Sequence, residues 1–117
     1  MIKKPLLVLT ALMGLSGCAL SPTISQSGYY WGNYSHTLYD YKKSPDDKTR
    51  TTHIAELNSI IQKSKELNLK VPPGIYAELG MYTIEDGNQA KANEYFNLEI
   101  GTYPESKAMI NQILKKG

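Results

Sequence analysis

Apolar residues recur at helical spacing from Tyr29 to the end of the chain, which leaves little choice of secondary structure. Tyr34, Leu38 and Tyr41 fall at i, i+4 and i+7, the pattern of one face of an amphipathic helix. No stretch shows the strict alternation of apolar and polar residues that indicates a half-buried strand. The sequence therefore predicts an all-α domain over residues 29–117.

Turn and capping residues mark the bounds of a long second helix. Ser44 suits its N-cap, Pro45 its first position and Asp47 the acid of a capping box. An apolar stripe predicts that this helix runs from about Asp46 to Leu67. Asn68 suits a left-handed C-cap.

Three further helices are predicted downstream, where two consecutive prolines forbid continuation of the second helix. The third runs from about Pro73 to Glu85 and ends at an Asp-Gly-Asn turn. The fourth spans about Gln89 to Thr102, and a short last helix spans about Glu105 to Lys115. The expected architecture is two helical hairpins plus a short C-terminal capping helix.

The first 28 residues differ in composition from the rest. Lys3 and Lys4 precede an apolar run from Pro5 to Leu15, and small residues follow it, as in a secretory signal peptide. The run is shorter than the roughly 20 apolar residues that span a bilayer. We therefore predict a signal peptide over residues 1–17 and a flexible Ser-rich tether over residues 18–28.

The sequence LSGC, which ends at Cys18, resembles the lipobox of bacterial lipoproteins. The resemblance implies that the Cys18 thiol is acylated and that Cys18 is the first residue of the mature chain. The alternatives are an ordinary signal peptide with a chance cysteine and a short membrane helix. By analogy with enteric sorting, where Asp after the cysteine retains a lipoprotein in the inner membrane, Ala19 implies the outer membrane. The domain would then face the periplasm.

Charge and cysteine content exclude several classes of function. The chain has 13 basic and 11 acidic residues, and loss of Lys3 and Lys4 with the signal peptide leaves 11 of each. Nucleic-acid binding requires a clustered basic face, so we expect no nucleic-acid partner. Cys18 is the only cysteine, and its acylation leaves no thiol for a disulfide or a thiolate metal site.

The sequence shows no pattern typical of catalysis or of a metal centre. His36 and His53 stand apart without an HExxH-like pairing. The paired acids Asp46 and Asp47 are explained by helix capping. Neither a glycine-rich phosphate loop nor a nucleophile elbow is present. We expect a non-enzymatic protein with no metal and no cofactor beyond the covalent lipid on Cys18.

Residues 73–106 resemble one tetratricopeptide repeat, a helix–turn–helix unit of about 34 residues. Gly80 and Ala92 occupy its two small contact positions, whereas Glu99 replaces the alanine usual at a third. The region around Tyr34 fits a degenerate upstream copy, and the alternative is a generic helical hairpin. Five further positions agree with the same register: Tyr76, Leu79, Gly87, Phe96 and Pro104.

The chain after the tether also resembles a family of small bacterial lipoproteins of unknown function. The resemblance rests on the motifs YYWGNYS from Tyr29, VPPGIYAELG from Val71 and TYPES from Thr102. Such genes commonly lie beside genes for a lipoprotein like the curli-secretion channel and for a second small lipoprotein. The resemblance therefore implies a shared envelope assembly and supplies no catalytic residue.

Candidate partner-binding residues come from aromatic crowding and from the repeat resemblance. Six of the eleven aromatic residues lie in residues 29–41, a segment that is either a lid on the hydrophobic end or a binding surface including Trp31. Tyr39, Met81 and Ile84 would form an apolar floor for a peptide or a partner helix, although Met81 fits the core equally well. The groove positions of the repeat map to Ala77, Met81 and Ile84, and in the degenerate copy to Ser35, Tyr39 and Lys42.

We therefore expect an outer-membrane lipoprotein that acts as a non-catalytic scaffold or assembly factor. Its partners would be the membrane, through the lipid anchor, and an envelope protein such as a channel-like lipoprotein. The alternative is a glycan- or peptidoglycan-binding periplasmic module that uses Trp31 and its neighbouring tyrosines.

Overall fold

The computed structural model describes residues 28–116. This part of the chain contains no β-strand, so the predicted all-α class is confirmed. Cys18, the predicted signal peptide and all of the tether except Gly28 lie outside the described residues. The five α-helices are α1 (Tyr34–Lys43), α2 (Asp47–Glu66), α3 (Ile75–Glu85), α4 (Gln89–Thr102) and α5 (Lys107–Lys116), with a 3-10 turn at Pro104–Ser106.

Helix α2 begins later than the capping box expected from the sequence. Asp46, with extended backbone, is its N-cap, and its carboxylate accepts the Thr49 backbone N–H at 2.9 Å. The Thr49 hydroxyl accepts the Asp46 backbone N–H at 3.2 Å. The expected pairing of Ser44 with Asp47 is therefore wrong. Ser44 lies outside the helix, and its carbonyl accepts the Thr49 hydroxyl at 2.6 Å.

The ends of the remaining helices follow local backbone chemistry. Asn68 adopts the predicted left-handed conformation, with φ of 57°, and the Leu69 N–H donates back to the Ser64 carbonyl at 2.8 Å. Helix α3 begins at Ile75, slightly after the expected start, because Gly74 is left-handed with φ of 94°. Helix α4 has the predicted bounds, and α5 begins at Lys107 after the 3-10 turn.

The core lies mainly between α2, α3 and α4. Helices α3 and α4 form a hairpin in which Gly80 faces the ring of Phe96. Helix α1 contributes one buried residue, Thr37. One cluster of buried apolar residues consists of Leu57, Ile60, Val71, Ile75, Tyr76 and Leu79, and a second consists of Ala92, Phe96 and Ile110.

Helix α5 closes the C-terminal end of the helical stack. Ile110 is buried against α4, whereas Ala108, Asn111, Gln112 and Lys115 are exposed. Met109 and Leu114 are also exposed, at 48% and 39%, so the outer face of α5 is mixed in polarity. None of the helices in residues 28–116 is long and apolar enough to cross a membrane.

Candidate functional site

A shallow apolar groove lies on one side of α3 and α5. Its cavity of about 370 Å³ is lined by Met81, Ile84, Glu85, Ile113 and Lys116, and we call these five residues the α3–α5 groove. Met81 is 45% exposed, and Ile84 and Ile113 are half-buried. The groove joins Met81 to Ile84, as the repeat register implied.

Tyr39 and Lys42 lie on the exposed side of α1 and do not line this groove. Tyr39 is 61% exposed, and the Lys43 ammonium lies 5.9 Å from its ring centre. Tyr41, two residues further on, points about 200° away around the helix and reaches the Tyr82 ring on α3. The third apolar wall of the groove is therefore Ile113 instead of the expected Tyr39.

Ala77, another candidate from the repeat register, faces the interior. It is 5% exposed, and its backbone N–H donates to Oε1 of Glu99 at 3.2 Å. Its position in the first turn of α3 places it under the hairpin partner α4. Ala77 supports the start of the helix and presents no side chain to the groove.

The aromatic segment before α1 packs onto the domain. The Trp31 ring meets the Tyr34 ring edge-on, with centroids 5.4 Å apart, and the Tyr29 ring meets Tyr103 at 6.4 Å. Tyr30 and Trp31 both pack against the larger core cluster. These contacts favour the lid interpretation of the segment over a freely presented binding surface.

A buried polar network joins α1, α2 and α3. His53 is 0% exposed; its Nδ1 lies 2.7 Å from the Thr37 hydroxyl, and its Nε2 lies 2.5 Å from Oε2 of Glu78. The Tyr34 hydroxyl donates to Oε1 of Glu78 at 2.6 Å. We call these four residues the His53 network.

Aromatic rings enclose the His53 network. The Tyr41 ring stacks on the imidazole at 6.5 Å, and the Tyr82 ring meets it edge-on at 6.1 Å. Burial, followed by the hydrogen bond to Glu78, raises the pKa of the Tyr34 hydroxyl. Burial and the nearby Glu78 charge likewise raise the pKa of Tyr82. Both hydroxyls therefore remain protonated, and Tyr34 acts as a donor to the carboxylate.

The order hydroxyl, imidazole, carboxylate in this network is also that of a catalytic triad. A triad needs a nucleophile that a substrate can reach, but Thr37 is only 6% exposed. Its hydroxyl is also within 3.3 Å of the Tyr34 carbonyl in its own helix. The arrangement therefore joins helices and does not present a nucleophile.

Sequence reasoning missed His53, although a signal for its burial was present. His53, Leu57, Ile60 and Ser64 follow the i, i+4, i+7, i+11 spacing of one helix face, and all four are buried. The apolar stripe predicted for this helix begins at the neighbouring Ile54 and continues through Leu57, Ile60 or Ile61, Ser64 and Leu67, so it leaves His53 out. His36, the other histidine, has a 75% exposed side chain next to Asp40.

Glu99 is a second buried polar group with a defined role. It is 1% exposed, and its Oε2 accepts the Gly74 backbone N–H at 2.9 Å while Oε1 accepts that of Ala77. The carboxylate therefore caps the start of α3 from the partner helix α4, where the helix dipole favours negative charge. Glu99, predicted as a departure from the alanine of the tetratricopeptide pattern, therefore has a structural role at the start of α3. Within residues 28–116, no group of three or more His, Cys, Asp or Glu residues could hold a metal ion.

Comparison with known proteins identifies the family of this chain. No curated protein and no solved structure matches the chain. The family described as a domain of unknown function, DUF4810, matches residues 29–113. The match covers most of the chain, from the aromatic segment to α5. The protein therefore belongs to the DUF4810 family.

Proposed function

We propose that this protein is a lipid-anchored, non-catalytic scaffold or assembly factor for a complex of the cell envelope. In this proposal, Cys18 carries the lipid and the domain stands at the periplasmic face of the outer membrane. Its partner is another envelope protein, of the class of the channel-like lipoprotein that the family resemblance implies. Confinement to a membrane surface raises the effective concentration of the domain beside such a partner.

The observation that carries the proposal is the α3–α5 groove. Met81, Ile84 and Ile113 offer a continuous apolar floor, and a groove of this kind on helices accepts the apolar face of a partner helix. A methionine in such a floor adapts its shape to the occupant because its side chain is unbranched and flexible. Glu85 and Lys116 at the rim can orient a charged partner segment.

The helical pairing supports a tetratricopeptide-like arrangement. Helices α3 and α4 form an antiparallel hairpin with a small residue, Gly80, at the point of closest approach. In that repeat family, binding surfaces are lined by the first helix of each hairpin. In the proposed arrangement, α3 is such a helix and α5 occupies the next equivalent place.

The burial of Thr37 supports a non-catalytic role. Its hydroxyl takes the nucleophile's place in the triad-like order of the His53 network, and Thr37 is buried where α1 meets α2. The geometry is therefore better suited to holding helices than to chemistry on a substrate.

Site-specific photo-crosslinking in cells tests the proposal. A crosslinker at position 81 should capture the channel-like envelope lipoprotein. The same crosslinker at Leu98 should not, although Leu98 is exposed to a similar degree, 48% against 45% for Met81. Equal capture at both positions, or none at position 81, would argue against the groove.

Single and double substitutions distinguish the contributions of Tyr39 and Met81 to partner binding, which the sequence analysis placed in one apolar floor. The double variant Tyr39→Ala, Met81→Ala should abolish co-purification with the channel-like lipoprotein and leave helical circular dichroism unchanged. Since Tyr39 does not line the groove, Met81→Ala alone should account for the loss. Retention by Met81→Ala together with loss by Tyr39→Ala would place the interface on α1 instead.

The glycan-binding alternative makes a different prediction for Trp31. Its ring is engaged with Tyr34 and the core, so under the scaffold proposal cell-wall fragments leave its fluorescence unchanged. A saturable fluorescence shift would favour the glycan-binding module.

A further inference from the structure

Helix α1 is held to the domain mainly by polar and aromatic contacts. Its one buried residue is Thr37, whose hydroxyl lies 2.7 Å from Nδ1 of His53. All fully buried apolar residues of the two core clusters lie between Leu57 and Ile110. The two clusters therefore contain no fully buried residue of α1, and Tyr34, with Tyr30 and Trp31 before it, adds partly buried rings to the larger one. Thr37 and Tyr34 tie α1 to the His53 network.

Glu78 is the acceptor that ties this network together. Its two oxygens face two donors, the Tyr34 hydroxyl at 2.6 Å and the Nε2 of His53 at 2.5 Å. The donors match the acceptors when Glu78 is ionised. They also match when one additional proton is shared between His53 and Glu78, because that proton makes the pair neutral and keeps the same hydrogen bonds.

When the His53–Glu78 pair binds a second proton, its donors and acceptors no longer match. Tyr34, His53 and Glu78 then present three donor hydrogens to two carboxyl oxygens. A net positive charge also remains on His53, which is 0% exposed, and an unpaired buried charge is strongly unfavourable. The Glu78 side chain is 21% exposed, so protons from solvent can reach the pair.

We infer that the His53 network is an acid-sensitive latch: a second proton on the His53–Glu78 pair releases α1 while the hairpin of α3 and α4 stays folded. Release moves the aromatic segment as well, since Trp31 packs on Tyr34. It uncovers the imidazole of His53 and the ring of Tyr82, which Tyr41 covers in the closed state. The domain therefore presents a different surface at low pH.

Other charged groups at this junction define the necessary controls. Glu56 on α2 accepts the Asn33 backbone N–H at 2.9 Å just before α1 begins. Arg50 lies 5.1 Å from the Tyr82 ring centre and pairs with two acids at the end of α3. The Arg50 pairs join α2 to α3 and leave α1 untouched. The groups that face His53 directly are Thr37, Tyr34 and Tyr41 from α1 and Glu78 and Tyr82 from α3.

Amide hydrogen exchange of the full-length chain in detergent micelles tests the latch helix by helix. After correction for the intrinsic pH dependence of exchange, acidification from about pH 7.5 to about pH 4.5 should lower protection in residues 34–43 by about tenfold or more. Protection in α3 and α4 should persist over the same range. Emission from Trp31, the only tryptophan, should shift at the same midpoint as the α1 amides.

Tyr34→Phe is the variant that tests the mechanism. It keeps the ring and removes one of the two hydrogen bonds that the Glu78 carboxylate accepts, so α1 release should occur at higher pH than in the wild-type chain. Glu78→Gln removes the counter-charge of His53 and should also move release to higher pH, which provides a second test if Tyr34→Phe folds poorly.

His36→Gln and Glu56→Gln are the matched controls. His36 lies on α1 but is exposed beside Asp40, and Glu56 contacts the start of α1 outside the network. Both should leave the midpoint of α1 release unchanged. The latch is excluded if α1 loses protection together with α3 and α4 in every variant. It is equally excluded if Tyr34→Phe has no effect or if His36→Gln shifts the midpoint as far as Tyr34→Phe does.

Discussion

The ring of Phe96 lies directly against the backbone of Gly80. A Cβ atom built on residue 80 would stand 2.6 Å from Cε1 of Phe96 and 2.8 Å from its Cζ. The ring cannot easily retreat, because Phe96 is 2% exposed and packs with Ala92 and Ile110. This contact sets the distance between α3 and α4 and therefore the width of the hairpin that carries Met81.

Gly80→Ala should destabilise the domain. Overpacking costs about 1–3 kcal/mol, and the better helix propensity of alanine returns up to about 1 kcal/mol. We expect a net decrease of about 1–2 kcal/mol in the free energy of unfolding, measured by urea denaturation.

Gly101→Ala is the matched control, since Gly101 is also helical and a Cβ there would meet no atom within 4 Å. It should raise the free energy of unfolding by about 0.5–1 kcal/mol. Equal effects of the two alanines would contradict the close approach of α3 to Phe96.

Glu99 should be required for the start of α3. Glu99→Ala leaves the Gly74 and Ala77 backbone N–H groups without their charged acceptor, and hydrogen bonds to charged groups contribute about 1.5–3 kcal/mol. We expect the free energy of unfolding to fall by about that amount, with increased amide exchange at the start of α3. Glu94→Ala, at a side chain that is 67% exposed, should change stability little.

The sequence was a good guide to the helices because their ends depend on local chemistry. The bounds of α4, the left-handed Asn68 and the turn at Gly87, with φ of 81°, follow from propensities and from turn residues that act within a few positions. The cap of α2 was misplaced by two residues, since Ser44 and Asp46 are both good caps and only the backbone selects Asp46.

The polar interior was less predictable because it depends on contacts between helices. His53 and Glu78 are 25 positions apart, and Glu99 is 25 positions from Gly74. Hydropathy patterns assign such residues to the surface. The sequence signal for their burial is the position of a polar residue within an otherwise apolar helix stripe. The α3–α5 groove was predictable only in part. The spacing of Met81 and Ile84 predicts that they share a helix face, whereas their contact with Ile113 depends on how α5 packs against α3.

Asp46 should make stability depend on pH in the acid range. The backbone N–H of Thr49 lowers the pKa of the Asp46 carboxyl below its ordinary value of 3.8. A lowered pKa in the folded state means that the contribution is complete above the unfolded value and is lost as pH falls through the folded one. Asp46→Asn can still cap the helix but cannot titrate. It should therefore remove this part of the pH dependence below about pH 4 and change stability little at pH 7. Thermal unfolding measured across pH for both proteins provides the check, and parallel profiles would contradict the assignment.

Cys18 should determine where the protein resides. If its thiol carries the lipid, Cys18→Ser should abolish incorporation of a labelled fatty acid and reduce the membrane-bound fraction, because acyl chains contribute about 0.8 kcal/mol per buried methylene. Ala19→Asp tests the sorting step separately, since it should keep acylation and shift the protein from the outer to the inner membrane in a density gradient. The α3–α5 groove is remote in sequence from both positions, so a partner that binds the wild-type chain should still bind purified Cys18→Ser protein in solution. In cells, binding should be weaker, because the variant is no longer confined to the membrane surface. Labelling of Cys18→Ser at the wild-type level would show that the lipid is attached elsewhere.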